Sequence, residues 1–347
     1  MPIEEVEREY GVRGAIKMAS NENALGPSPK AVAAIKRSLG DIHRYPDGAN
    51  FYLRKKLSVF LKVRPETLVF GNGSDELLAL VVRAFVGPGD EVIIADPTFL
   101  IYEIATTMEN GVIVKVPMKD FRYDLEGMAR KIGSRTKLMF IANPDNPVGT
   151  YVTAQAMSDL MKRVPKEVVV VLDEAYYEFA CDRKDYPDSL KLLKQHKNIL
   201  VTRTFSKAYG LSGLRIGYGI ADLAIVNTLN KVREPFNVNL LAQRAALAAL
   251  DDKAHLTKTV RMVKEGRAYL EKEFKRLRLY SVPTATNFML VNLERDARPV
   301  VEDLIRKGII VRPMSAWGMK EFIRVTIGKV DENRKFTREL KKIMFSR

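Results

Sequence analysis

Between Thr67 and Phe205 the chain alternates short apolar runs with amphipathic stretches, a pattern that predicts strands separated by helices. TLVFG (67–71) precedes DELLALVVRAFV (75–86), EVIIAD (91–96) precedes TFLIYEIATTMEN (98–110), and VIVKV (112–116) precedes DLEGMARKI (124–132). KLMFIAN (137–143), TAQAMSDLMKRV (153–164), EVVVVLD (167–173) and NILVTRTF (198–205) continue the series. Strands this apolar, with helices between them, predict an α/β architecture in which a mostly parallel sheet is covered on both faces.

The flanks read differently. Residues 1–27 predict an irregular arm, because KMASNENALGPSP is dense in Asn, Gly and Pro. A helix over 29–39 follows, with Ser28 as its cap. Helical spacing dominates from Ala221 to Leu279, and the end of the chain mixes short apolar runs (NFMLVNL, IIVRP, FIRVTIG) with helices, as a smaller α+β domain does. The expected division is an arm over 1–35 that joins the small domain, a large domain over 36–240 and a small C-terminal domain over 241–347.

Composition narrows the chemistry. A single cysteine, Cys181, cannot form an internal disulfide, and three scattered histidines, His43, His196 and His255, lack metal-ligand spacing, so no metal is expected. The net charge of +15 attracts anions, but Lys and Arg alternate with Glu and Asp on helix faces, which argues against nucleic acid as the partner. No apolar run is long enough to span a membrane, and the acidic start PIEEVEREYG is unlike a signal peptide, so the expectation is a cytoplasmic protein without a membrane partner.

Open parallel sheets bind ligands beyond the carboxyl ends of their strands, so the residues delivered there matter most. TLVF ends in Gly71-Asn72-Gly73-Ser74-Asp75, a glycine turn entering a helix and suited to phosphate. KLMFIA ends in NPDNPVG with Asn146, and EVVVVL ends in Asp173 with Tyr176 three residues on. A carboxylate there needs either a buried ion pair or a functional partner. After NILVTRTF come Ser206, Lys207 and, eight residues beyond the lysine, Arg215. Lys207 is either a solvated loop residue or a buried amine able to form a Schiff base with a carbonyl. Together the set suits pyridoxal 5′-phosphate, which needs a lysine, a carboxylate for its ring nitrogen, donors for its phenolic oxygen and an anion site.

The segments SNEN (20–23), RYPD (44–47), GNGSDE (71–76), NPDNPVG (143–149), DEAYYEF (173–179), TFSKAYGLSGLRIGY (204–218) and RVTIG (324–328) carry a further signal. With them the chain resembles the fold-type I pyridoxal-phosphate-dependent aminotransferases over nearly its whole length, and SNEN and RYPD favour their histidinol-phosphate branch. The resemblance implies catalytic roles for Lys207, Asp173 and Tyr176. It implies a cofactor site of Gly73, Ser74, Asp75, Phe99, Asn146, Thr204, Ser206 and Arg215, with Phe99 where the family often has a stacking tyrosine. Tyr45 is implied to reach the phosphate of a second subunit, hence a homodimer. Asn23, Tyr45, Arg312 and Arg324 are implied to bind substrate, with Arg324 taking an α-carboxylate and Arg312 the far end. The implied substrates are histidinol phosphate and glutamate or 2-oxoglutarate. The same motifs suit an aromatic or broad-specificity aminotransferase, a threonine-phosphate decarboxylase, or a basic regulatory protein that has lost the chemistry.

Overall fold

The computed structural model describes residues 2–345. Among the described residues, twelve strands are numbered in chain order. β1 (Ile16–Lys17) pairs in parallel with β10 (Ile309–Ile310) as a two-residue ribbon. The large sheet comprises β2 (Leu68–Gly71), β3 (Glu91–Asp96), β4 (Val112–Pro117), β5 (Thr136–Ala142), β6 (Val169–Asp173), β7 (Ile199–Thr204) and β8 (Gly217–Ala221). Its order is β2-β8-β7-β6-β5-β3-β4. Only β8 runs against its neighbours, β2 and β7, so the sheet is mostly parallel, and the carboxyl ends of the other strands share one edge. A second sheet joins β11 (Arg312–Pro313), β12 (Phe322–Thr326) and β9 (Phe288–Asn292), all antiparallel.

Period-two alternation splits the apolar strands between two cores. On β6, Val169 and Val171 pack with Leu77, Tyr102 and Phe140 under the helix Ser74–Phe85, while Val170 and Leu172 pack with Met157 and Leu160 on the other face. A third core, around Phe274, Phe288, Phe336 and Leu340, lies beneath the small sheet. The long helix Lys253–Arg276 starts at Asp252, whose side chain accepts from the His255 amide, and helix Pro29–Ser38 starts at Ser28, which accepts from Lys30 and Ala31.

One expectation needed correction. The arm is not irregular throughout: Ile3–Tyr10 is a helix, because Ile3, Val6 and Tyr10 share one face that packs on the core beneath the small sheet, and Gly11 closes it at φ 64°. Gly217 and Gly219 lie within β8, and Gly217 is needed for close approach, since a Cβ there would sit 2.5 Å from the Ser74 amide nitrogen.

Candidate active site

The carboxyl edge of the large sheet and the middle of β12 enclose a cleft of about 550 Å³. Alternation along β6 carries Asp173 onto the face of Val169 and Val171, and its neighbour Glu174 onto the opposite face. Asp173 is 4% exposed. Tyr102 Oη donates to its Oδ2 at 2.8 Å, and the Ala175 amide (3.2 Å) and Thr202 Oγ1 (3.3 Å) donate to its Oδ1. Among the described residues no cation pairs with it, and burial raises its pKa to about 6 despite those donors.

Lys207 leaves β7 just beyond Thr204 and reaches into the same cleft. Its Nζ donates to the Ser20 carbonyl at 3.2 Å and lies 5.8 Å from the centre of the Tyr176 ring. Burial, and next the positive charge of Arg324, lower its pKa to about 8. An amine in that state is partly neutral near neutral pH and able to attack a carbonyl.

One end of the cleft is built for an anion. Arg215 is held in a left-handed backbone (φ 55°), its Nη2 3.0 Å from Asp75 and its Nη1 3.1 Å from the Ser212 carbonyl and 3.5 Å from Ser206 Oγ. Gly73 makes room for this guanidinium, because a Cβ there would lie 2.4 Å from Arg215 Nη2. Thr204 Oγ1 donates to Ser206 Oγ at 3.0 Å, and Ser74 opens the helix Ser74–Phe85 with its amino end at the cleft. Hydroxyls, a guanidinium and a helix amino terminus converge there, as phosphate requires.

At the other end stand two arginines from facing positions of β11 and β12, Arg312 and Arg324. Arg324 is 5% exposed, donates Nη2 to the Ala19 carbonyl at 3.0 Å and Nη1 to Asn146 Oδ1, and has its pKa lowered to about 10 by burial. Arg312 has no ion pair among the described residues. Phe99 and Trp317 line the wall between, and Trp317 Nε1 donates to the Thr98 carbonyl at 2.8 Å.

The profile of the family described as aminotransferase class I and II matches residues 13–340. The chain belongs to that family. Among its relatives, the histidinol-phosphate aminotransferase of Moorella thermoacetica is 48% identical across 99% of this chain and 89% of the relative. Histidinol-phosphate aminotransferase 2 of Carboxydothermus hydrogenoformans is 46% identical across 99% and 95% respectively. The crystal structure of histidinol-phosphate aminotransferase from Sinorhizobium meliloti in complex with pyridoxal-5′-phosphate superposes with a TM-score of 0.93, at 31% identity over all of this chain and 95% of that one.

Within this aminotransferase, most residues expected at the site line the cleft; Gly73 sits behind the Arg215 guanidinium, and Tyr45 and Asn23 lie outside the lining. Tyr45 is 84% exposed and stacks on Phe236 (centroids 4.9 Å apart) beside a separate 230 Å³ depression. Asn23 does not line the cleft: its Nδ2 donates to the Ala208 carbonyl and to Thr259 Oγ1, both at 3.0 Å, fastening the arm to the lysine segment. Its place at the cleft is taken by Ser20, Asn21 and Glu22. The residues that hold Asp173, Tyr102 and Thr202, went unnoticed in the sequence because each reads as an ordinary core position. Only the pairing of β6 with β7, which sets Thr202 beside Asp173, and the packing of Tyr102 over β6 reveal them.

Proposed function

We propose that the chain is a pyridoxal-5′-phosphate-dependent transaminase that exchanges an amino group between histidinol phosphate and 2-oxoglutarate in histidine biosynthesis. The observation that carries this reading is a buried carboxylate without a cation, Asp173, lining one cleft with an amine of lowered pKa, Lys207. An uncompensated buried carboxylate is costly, and a protonated ring nitrogen would relieve that cost. The anion cradle at Arg215, Ser206, Thr204 and Ser74 matches the cofactor's phosphate, and Phe99 supplies an aromatic face to its ring.

When bound, the cofactor supplies an electron sink for the electrons left as the substrate Cα loses its proton. The chain's residues do the rest. Lys207 would hold the aldehyde, and its free amine would accept the Cα proton as a general base. Asp173 would hold the ring nitrogen's proton, its own pKa falling beside that cation. Tyr176 and Asn146 would donate to the phenolic oxygen, and Asn146 is aimed because its carbonyl oxygen is already occupied by Arg324. Arg324 takes the α-carboxylate of glutamate as a bidentate partner. Histidinol phosphate has an alcohol at that position, so Arg312 takes its phosphate and Arg324 is free in that half-reaction.

The protein acts in the cytoplasm as a homodimer on this reading. Leu39, Ile42, Phe51, Tyr52 and Phe60 are exposed on the same stretch of chain as Tyr45, which gives a second copy apolar surface to cover and lets Tyr45 enter the partner's cleft. The arm and the chain beyond residue 241 form the small domain that carries Arg312 and Arg324 over the cleft. No helix among the described residues is long and apolar enough to cross a membrane.

Amino-group transfer to 2-oxoglutarate from histidinol phosphate, phenylalanine and tyrosine, each offered separately, tests the substrate assignment, with threonine phosphate monitored for carbon dioxide. Fastest kcat/KM with histidinol phosphate supports it. Faster turnover of an aromatic amino acid, or decarboxylation of threonine phosphate, overturns it.

A further inference from the structure

The first asparagine of SNEN is one of the most tightly held residues near the cleft. Asn21 is 1% exposed and sits in the left-handed region at φ 58°, where asparagine is among the few non-glycine residues tolerated. Its amide nitrogen donates to Thr326 Oγ1 at 2.9 Å, its carbonyl accepts from Asn287 Nδ2 at 2.9 Å, and its side-chain Oδ1 accepts from Thr326 Oγ1 at 3.2 Å. Thr326 therefore fixes which way the side-chain amide faces. Its hydroxyl oxygen takes the Asn21 N–H, its proton goes to Oδ1, and Nδ2 is left to donate to Tyr176 Oη at 2.8 Å.

That last bond sets a direction. A phenol carries one proton and accepts through its lone pairs. With Asn21 Nδ2 donating to its oxygen, the Tyr176 proton is free to point into the cleft. We propose that Asn21 is a positioning residue that orients the Tyr176 hydroxyl as a donor toward the cofactor's phenolic oxygen and ties that donor to β12, the strand bearing Arg324. Arg324 acts on Asn146 in the same sense, so β12 controls both donors to one oxygen, one directly and one through Asn21. The inference rests on the pyridoxal-phosphate reading of the cleft.

Two variants separate orientation from scaffolding. Asn21→Gly keeps the left-handed backbone at no steric cost and removes the donor. Asn21→Asp keeps the shape and replaces the donor with an acceptor that draws the Tyr176 proton away from the cleft. The charged groups facing Tyr176 are Arg324, Asp173, Asp145 and Lys207, and both variants leave them in place. The readout is the midpoint pH of the visible absorbance change of the pyridoxal-phosphate-loaded protein, measured without substrate. Donation to the phenolic oxygen favours the unprotonated imine, so losing its direction raises the midpoint by roughly half to one pH unit in Asn21→Gly, and further in Asn21→Asp. In a Tyr176→Phe background the Asn21→Gly shift disappears. A wild-type band whose midpoint is unmoved in both variants, or a shift that persists without the Tyr176 hydroxyl, overturns the assignment. A wild-type protein that takes up no colour contradicts the cofactor reading itself, and with it this role for Asn21.

Discussion

Asp173 and Glu174 are adjacent, both acidic and both buried, yet the two faces of the sheet treat them oppositely. On the far face Glu174 Oε2 meets Arg203 Nε at 2.8 Å and accepts from Ser189 Oγ at 3.0 Å, and the Arg203 guanidinium lies 3.4 Å from the centre of the Tyr177 ring. On the cleft face Asp173 has only neutral donors. The sequence DE, read alone, offers two equivalent candidates for a buried salt bridge. The difference arises on β7, where Thr202 and Arg203 alternate in step with Asp173 and Glu174 and deliver a hydroxyl to one face and a guanidinium to the other. Glu174 is completed by the fold, whereas Asp173, left without its cation, is the carboxylate we propose meets a ligand that brings one.

The largest expected effect separates the pair by function. Asp173→Asn lowers kcat by about 10³-fold or more, since a neutral amide cannot hold the ring nitrogen protonated, and it leaves the thermal midpoint of the cofactor-free protein unchanged or raised. Steady-state kinetics beside a melting curve read both halves. Arg203→Ala does the reverse: it strands a buried charge and lowers stability by about 3–5 kcal/mol in a denaturant titration, with little change in kcat per folded molecule. If Asp173→Asn unfolded the protein and Arg203→Ala removed activity from a stable one, the contrast would be wrong.

Next in size is a pH effect with a definite sign. Asp173 titrates near 6 in the folded cofactor-free protein, above the usual carboxylate value of 3.8, so between those values the folded state binds more protons than the unfolded one. Stability therefore falls as pH rises through that window, by roughly 3 kcal/mol for this group, and Asp173→Asn abolishes that component. Denaturation midpoints of wild type and variant, compared from pH 4 to 7, isolate it. Lys207, lowered to about 8, contributes in the opposite direction at higher pH, where the unfolded chain retains the proton longer.

The smallest effect extends the contrast to cations. Arg203 is paired within the fold, while Arg312 has no ion pair among the described residues and is proposed to meet the substrate's phosphate. Arg312→Ala should raise KM for histidinol phosphate by roughly 10- to 100-fold while changing glutamate and stability little. An equal loss with both substrates would place Arg312 outside the distal site.

Much of this arrangement was legible in the chain because strand periodicity and strand-end chemistry are local. The runs from Leu68 to Thr204 announce themselves as strands, and Lys207, Asp173, Asn146 and Arg215 follow at their ends or in the turns beyond. The misses were all nonlocal. Ile3–Tyr10 is helical because it has the core beneath the small sheet to pack on, and β8 forms despite its glycines because it fills the gap between β2 and β7. The choice between Asn21 and Asn23 depended on which faced Thr326 and which faced Thr259, partners some 236 to 305 residues away. The partner of Glu174 was likewise invisible until β6 and β7 were set side by side.

The central claim is that Lys207 is the amine to which the cofactor is joined in this cleft. Borohydride reduction of the pyridoxal-phosphate-loaded protein, followed by proteolysis and mass spectrometry, tests it directly. A single pyridoxyl adduct on the peptide containing Lys207, absent when Lys207→Ala is treated in the same way, is the predicted result. An adduct on another lysine, or none in a protein that has taken up the cofactor, would contradict it.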